Sequence, residues 1–179
     1  MHHQDPRAED TLSLKLHSFF PKTKKEIVIV CIGTDRATGD SFGPFVGTNL
    51  YESPLAGEVN IYGTLEHPVH AGNLEDTMKT INKQHPHAFI IGIDASLGRA
   101  NKVAHISVNN FPVKPGEAVE KPLPNVGHIS VTGIVNKRSL TPLFTVKDTR
   151  LFLVISMARV TAHFVKRALS LYHHDSTDT

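Results

Sequence analysis

The stretch that decides the fold is Ile27-Val28-Ile29-Val30-Cys31-Ile32, followed at once by Gly33-Thr34-Asp35-Arg36-Ala37-Thr38-Gly39-Asp40-Ser41-Phe42-Gly43-Pro44. An uninterrupted apolar run of this kind, β-branched at all but Cys31, suits a central strand covered on both faces. The turn-rich loop after it should lead into a helix through Pro44, a residue favoured at helix starts. A strand, an acidic glycine-containing loop and a helix in that order place the loop at the carboxyl edge of an open sheet, where ligands bind in α/β proteins.

Working outward, the same grammar repeats. Residues 58–63 read as a second strand. Asn73 is a candidate cap for a helix through about Gln84, with Leu74, Met78 and Ile81 on one face and Glu75 spaced to pair with Lys79. Ala88-Phe89-Ile90-Ile91-Gly92-Ile93 is another buried strand, with Asp94 directly behind it. Strand, helix, strand, helix, strand argues for a parallel sheet with right-handed crossovers. Residues 104–108 and 128–135 alternate instead, which suits an edge or an antiparallel pair, and His-Ile-Ser-Val occurs in both. The proline-rich segment from Pro112 to Pro124 between them is expected to flank the functional cleft and to be more mobile than the sheet.

At the ends, residues 10–20 carry a short amphipathic helix with Leu12, Leu16, Phe19 and Phe20, stopped by Pro21. Leu151, Val154, Ile155, Ala158, Ala162, Val165 and Leu169 form the stripe of a long surface helix, with Asp148 as its candidate cap. The expected architecture is one α/β domain over residues 1–179. Residues 1–24 form an N-terminal helix and flank, and 173–179 a disordered tail.

Composition narrows the function classes. A chain of 179 residues buries a core without help from disulfides, and its single cysteine, Cys31, allows no intramolecular bridge. Cys31 lies in the apolar run and reads as a small core residue rather than a nucleophile. A reducing cytoplasm is the expected setting. A formal net charge of +2 supplies no basic field for nucleic acid, and Lys22, Lys24 and Lys25 read as a solvated flank. No apolar stretch is long enough for a bilayer, and Met1–Asp10 does not read as a secretory signal. Of the 12 histidines, His2, His3, His17, His173 and His174 lie near the ends.

Two carboxylates stand out. Asp40 occupies the place where a phosphate-binding loop needs a lysine, and the glycine spacing fits no dinucleotide fingerprint. Asp94 ends a buried strand on the same expected edge. Two such groups can share a proton as an acid–base dyad, or hold a divalent cation with a histidine completing the shell. Asp35, Asp40 and Asp94 can equally serve as turn and cap residues. His128 and His70 are the candidate imidazoles, since a neutral ring is both a common ligand and a common general base.

The loop Thr34–Pro44, the strand end Gly92–Arg99 and the stretch Val113–Asn136 together resemble the YyaC-like sporulation protein family, related to the spore germination protease and more distantly to the hydrogenase maturation endopeptidases. The resemblance implies a three-layer αβα sandwich with a mixed, mostly parallel sheet. The germination protease is an unusual aspartic peptidase, and its motifs match here at Gly39–Pro44 and Ile93–Ala95. That carries its two essential aspartates to Asp40 and Asp94. In the maturation endopeptidases a glutamate stands where Asp40 is and binds nickel together with an aspartate resembling Asp94 and a histidine that corresponds to His128. The catalytic set is therefore Asp40, Asp94 and His128, with the same three as the alternative metal ligands. Asp35, Ser41, His70 and Arg99 are candidates for binding substrate or supporting that set. The asparagine usual after the loop glycine in both peptidase groups is replaced by Thr34-Asp35. The expected partner is a protein or peptide substrate, a spore protein first among them, and a homo-oligomer is compatible with the sequence. Three functions compete: an aspartate-dependent endopeptidase, a metal-dependent one, and a non-enzymatic binding module that keeps the fold.

Overall fold

The computed structural model describes residues 1–53, 59–116 and 123–174. Its described elements are α1 (Ala8–His17), β1 (Ile27–Cys31), α2 (Phe42–Tyr51), β2 (Asn60–Tyr62), α3 (Leu74–Gln84), β3 (Phe89–Gly98), β4 (Ile106–Asn109), β5 (Ile129–Lys137), α4 (Pro142–Lys147) and α5 (Leu151–His174), with short 3₁₀ turns at Gly39–Ser41 and Ala100–Lys102. The strands form one sheet in the order β2-β1-β3-β5-β4. β1, β2, β3 and β5 run parallel, and β4 alone is antiparallel, against β5. The fold is the expected mixed, mostly parallel α/β sandwich. β1 and β3 are parallel neighbours paired from Ile27–Phe89 to Cys31–Ile93.

Alternation along the strands sorts side chains between two cores. Ile27, Ile29, Cys31, Ile91, Ile93, Ile129 and Val131 face the layer made by α1, α2 and α5. Val28, Val30, Ile32 and Ile90 face α3, through Leu74 and Ile81, together with Val113 from the proline-rich segment and Val126 just after it. That second layer is short of helices. A connecting segment covers β3 and leaves a hollow beyond it, a gap between sheet and cover that the site uses.

Several details differ from expectation. β3 does not stop at Ile93 but runs on to Gly98, because β5 continues to pair with it through Leu97–Asn136 and Gly98–Lys137. α2 begins at Phe42, with Pro44 still in its first turn. Asn73 stands at the N-cap position of α3 without a side-chain cap bond. It ties the preceding loop instead, accepting from the His70 N–H at 2.8 Å and donating to Pro68 O at 3.0 Å. The Glu75–Lys79 pair forms at 3.2 Å. α4 is an additional short helix with no counterpart in the sequence pattern, and Asp148 closes it rather than capping α5. α5 packs chiefly on α1 and α2, and its burial includes Met157, Phe164 and Tyr172. His173 and His174 belong to this helix rather than to a tail, while 175–179 lie outside the described residues. The first residues cover the outer side of β4, with the Met1 amine donating to Ile106 O at 2.7 Å. The repeated tetrapeptide lies in neighbouring antiparallel strands, with Val108 opposite Val131. No helix among the described residues is long and apolar enough to cross a membrane.

Candidate functional site

A cavity of about 750 Å³ opens at the carboxyl ends of β1, β3 and β5. Among the described residues its acidic lining is Asp40 and Asp94, its imidazole is His70, and its bases are Arg36, Lys114 and Lys147.

Asp40 is placed by the loop that leaves β1. Gly33 adopts φ +139°, and a Cβ there would lie 1.9 Å from the Asp40 carbonyl oxygen, so only glycine lets the loop fold back this tightly. The Thr34 N–H donates to that same carbonyl at 3.2 Å. Gly43 presses on Ile32, where a Cβ would meet its carbonyl at 2.1 Å. These contacts fix the 3₁₀ turn that carries Asp40 beneath the start of α2. Burial pushes the Asp40 carboxyl above its ordinary value of 3.8, while a hydrogen bond from the Thr34 backbone and the nearby His70 charge pull the other way. Desolvation is the largest effect, so Asp40 is held toward its protonated form.

Asp94 reaches the cavity because it shares a face with Ile90 and Gly92, the face opposite Ile91 and Ile93. It is buried at 7% exposure and stands opposite Thr132 on β5. Ile32 N–H donates to Ile93 O at 2.7 Å, so the Asp40 loop departs beside the strand that carries Asp94. His70 follows Val69, which bridges Ile32 in parallel. Its Nδ1 accepts the Gly72 N–H at 3.1 Å, which leaves the proton of the neutral ring on Nε2 as a donor.

His128 does not join them. It precedes β5, at the amino end of a strand parallel to β3, and Asp94 lies four residues further along β3 than Ile90, or about 13 Å at the usual rise. His128 Nδ1 accepts the Ile90 N–H, and its ring stacks on Phe89 with centroids 4.9 Å apart. The ligand set Asp40, Asp94 and His128 therefore does not close on one ion. Among the described residues no three His, Cys, Asp or Glu side chains are grouped to hold a metal. Ser41 is buried and donates to Thr38 O at 2.5 Å, a bond within its own turn. Asp35 is exposed and accepts from Thr34 Oγ1 at 3.4 Å. Arg99 is exposed at the far end of β3, outside the cavity lining. Cys31 is fully buried, with its thiol pushed well above the ordinary range, as a core residue should be.

The proline-rich segment lines the cavity through Phe111 to Gly116 and Leu123; residues 117–122 lie outside the described residues. It seats on Gly92, where a Cβ would meet Val113 Cγ1 and Val126 O at 2.7 Å. Ser130 and Thr132, which carry no motif in the sequence, also line the cavity. They are the polar phase of the alternating strand whose apolar phase is Ile129 and Val131. Leu143, Val146 and Lys147 of α4 complete the wall.

A NiFe hydrogenase maturation protease, HycI from Thermococcus kodakarensis KOD1, has the same fold: TM-score 0.57 at 19% identity, over 87% of this chain and 99% of that one. The uncharacterized protein YyaC of Bacillus subtilis (strain 168) is 44% identical over 161 residues, covering 89% of this chain and 78% of that protein. The family model described as "Protein of unknown function (DUF1256)" matches residues 1–164, and with that match and the identity to YyaC the chain belongs to the DUF1256 family.

Proposed function

We propose that this protein is an endopeptidase that works with Asp40 and Asp94 on a protein substrate. The observation that carries the reading is that two carboxylates, one from the loop after β1 and one from within β3, line one cavity, with burial holding Asp40 toward its protonated form. Separate environments for two carboxyl groups suit an acid and a base. Asp94 takes the base role and accepts a proton from the attacking water as the water oxygen bonds to the peptide carbonyl carbon. Asp40 donates its proton to the carbonyl oxygen. When the C–N bond breaks, the leaving nitrogen takes up the proton held on Asp94, and the carbonyl oxygen returns its proton to Asp40. His70, with Nε2–H as donor, orients Asp40 or the substrate carbonyl. The shared fold with a hydrogenase maturation protease supports a protein substrate. The resemblance of both aspartate motifs to the germination protease makes a spore protein the first substrate to try.

The test is cleavage of candidate spore proteins by the wild type, Asp40→Asn and Asp94→Asn, each checked for folding by circular dichroism. Loss of about 10²–10⁴ in rate is expected in each variant, the usual worth of general acid–base catalysis. Cleavage unchanged in both variants removes the aspartate mechanism and leaves a binding module on a peptidase fold. A chelator is expected to leave wild-type cleavage unaltered. Loss of activity on chelation would return a metal to the site.

A further inference from the structure

We propose that the ridge from Leu140 to Phe152, which runs into the cavity mouth, is a docking surface for an acidic, amphipathic segment of a partner protein. This rests on the reading of a protein substrate. Large apolar side chains are left outward there: Phe144 is 75% exposed, Phe152 72%, Leu143 56% and Leu151 50%, and Leu140 is fully exposed. Five large outward apolar groups within thirteen residues of chain are more than scattered surface hydrophobes, and such groupings mark interaction surfaces in folded proteins.

The ridge is built rather than frayed. Asn136 Nδ2 at the end of β5 donates to Thr145 O of α4 at 3.0 Å, and Thr149 Oγ1 donates to the same carbonyl at 3.0 Å. It is also joined to the site. Gly39, next to Asp40, packs so closely that a Cβ would meet Thr149 Oγ1 and Val146 O at 2.9 Å. Leu143 and Lys147 line the cavity and belong to the ridge at once.

Charge chooses the occupant. Lys147 and Arg150 are exposed on the ridge, Lys114 and Arg36 line the cavity mouth, and none of the four has an ion pair among the described residues. Asp148 is the one acid between Leu140 and Phe152. An apolar and basic surface complements a segment with apolar anchors flanked by Asp and Glu, and complementary charge speeds encounter and rejects basic chains. A lipid surface fits less well, since α4 spans only Pro142–Lys147 and membrane-lying helices are longer amphipathic elements.

The experiment uses the full chain carrying Asp40→Asn and Asp94→Asn, so that binding is read apart from cleavage. Fluorescence anisotropy is measured with a labelled peptide alternating Leu or Phe with Glu, and with its counterpart bearing Lys for Glu. The acidic peptide should bind about tenfold tighter or better, and paired Leu140→Ser and Phe144→Ser substitutions should cost about tenfold, as anchor residues do. Lys147→Glu with Arg150→Glu should reverse the preference between the peptides. Equal binding of both peptides, or no loss in the folded serine variant, overturns the proposal. So does capture by vesicles of anionic phospholipid in preference to the acidic peptide, or a dimer in sedimentation that Phe144→Ser disperses. If the aspartates prove inert while the charge preference persists, the docking surface stands and the peptidase reading falls.

Discussion

His128 holds both backbone groups of Ile90: its Nδ1 accepts the Ile90 N–H at 3.0 Å, and its own N–H donates to Ile90 O at 2.7 Å. The imidazole thus finishes the β3–β5 ladder at the end where β5 begins. It does the work of a missing strand residue.

That relationship predicts the behaviour of His128→Ala. The variant leaves a partly buried N–H without its acceptor and removes the ring from Phe89, so it should lose about 1–3 kcal/mol of stability. Catalysis per folded molecule should not change. Urea denaturation and specific activity, measured on the same preparation, separate the two. A drop in activity without a drop in stability would return His128 to the site.

Asp40 makes stability depend on pH. Its folded-state carboxyl is raised above the ordinary 3.8, so the folded chain binds that proton more tightly than the unfolded chain. The contribution is fully present below 3.8 and is lost as pH rises through the folded value. Asp40→Asn carries no charge to desolvate. Its stability relative to the wild type should therefore climb as pH is raised from about 4 towards 7, the range above the unfolded carboxyl value. Denaturation curves at several pH values read this directly. A difference that stays flat or falls would mean that the Asp40 carboxylate is well solvated.

Gly33→Ala should be among the most damaging small substitutions. The new methyl meets the Asp40 carbonyl at 1.9 Å from a backbone with φ +139°, so the loop must open. A residue forced into such a conformation costs about 1–3 kcal/mol before the clash is counted. We expect a lower melting temperature together with lost activity, because the same carbonyl positions Asp40. Retention of both would show that the loop is not what holds the carboxylate.

Cys31 should be inert. It is fully buried, and burial holds its thiol protonated. A thiolate-directed reagent should label it only in denaturant, and native activity should survive an excess of the reagent. Rapid labelling of the native protein would show that this part of the sheet opens.

Much of this molecule is local and was legible as such. The Ile27–Ile32 and Ala88–Ile93 runs suit strands covered on both faces, and strand–helix alternation then argues for parallel pairing. Asp40 was legible because a carboxylate behind glycine in a strand-to-helix loop excludes a phosphate cradle. Tertiary structure decided what local pattern cannot carry. His128 precedes a strand in either reading, but whether that start lies with Asp94 depends on β5 running parallel to β3, a pairing between residues far apart in the chain. Ser130 and Thr132 are seen to line the cavity only once β3 is their neighbour and the proline-rich segment is placed as a facing wall. α4 followed no long periodicity, since Pro142–Lys147 is too short to display one and is held by Asn136 from another element. Period and turn chemistry act over a few residues, and they determined the strands, the helices and the carboxylates. Register and strand direction act between distant residues, and they decided which side chains meet.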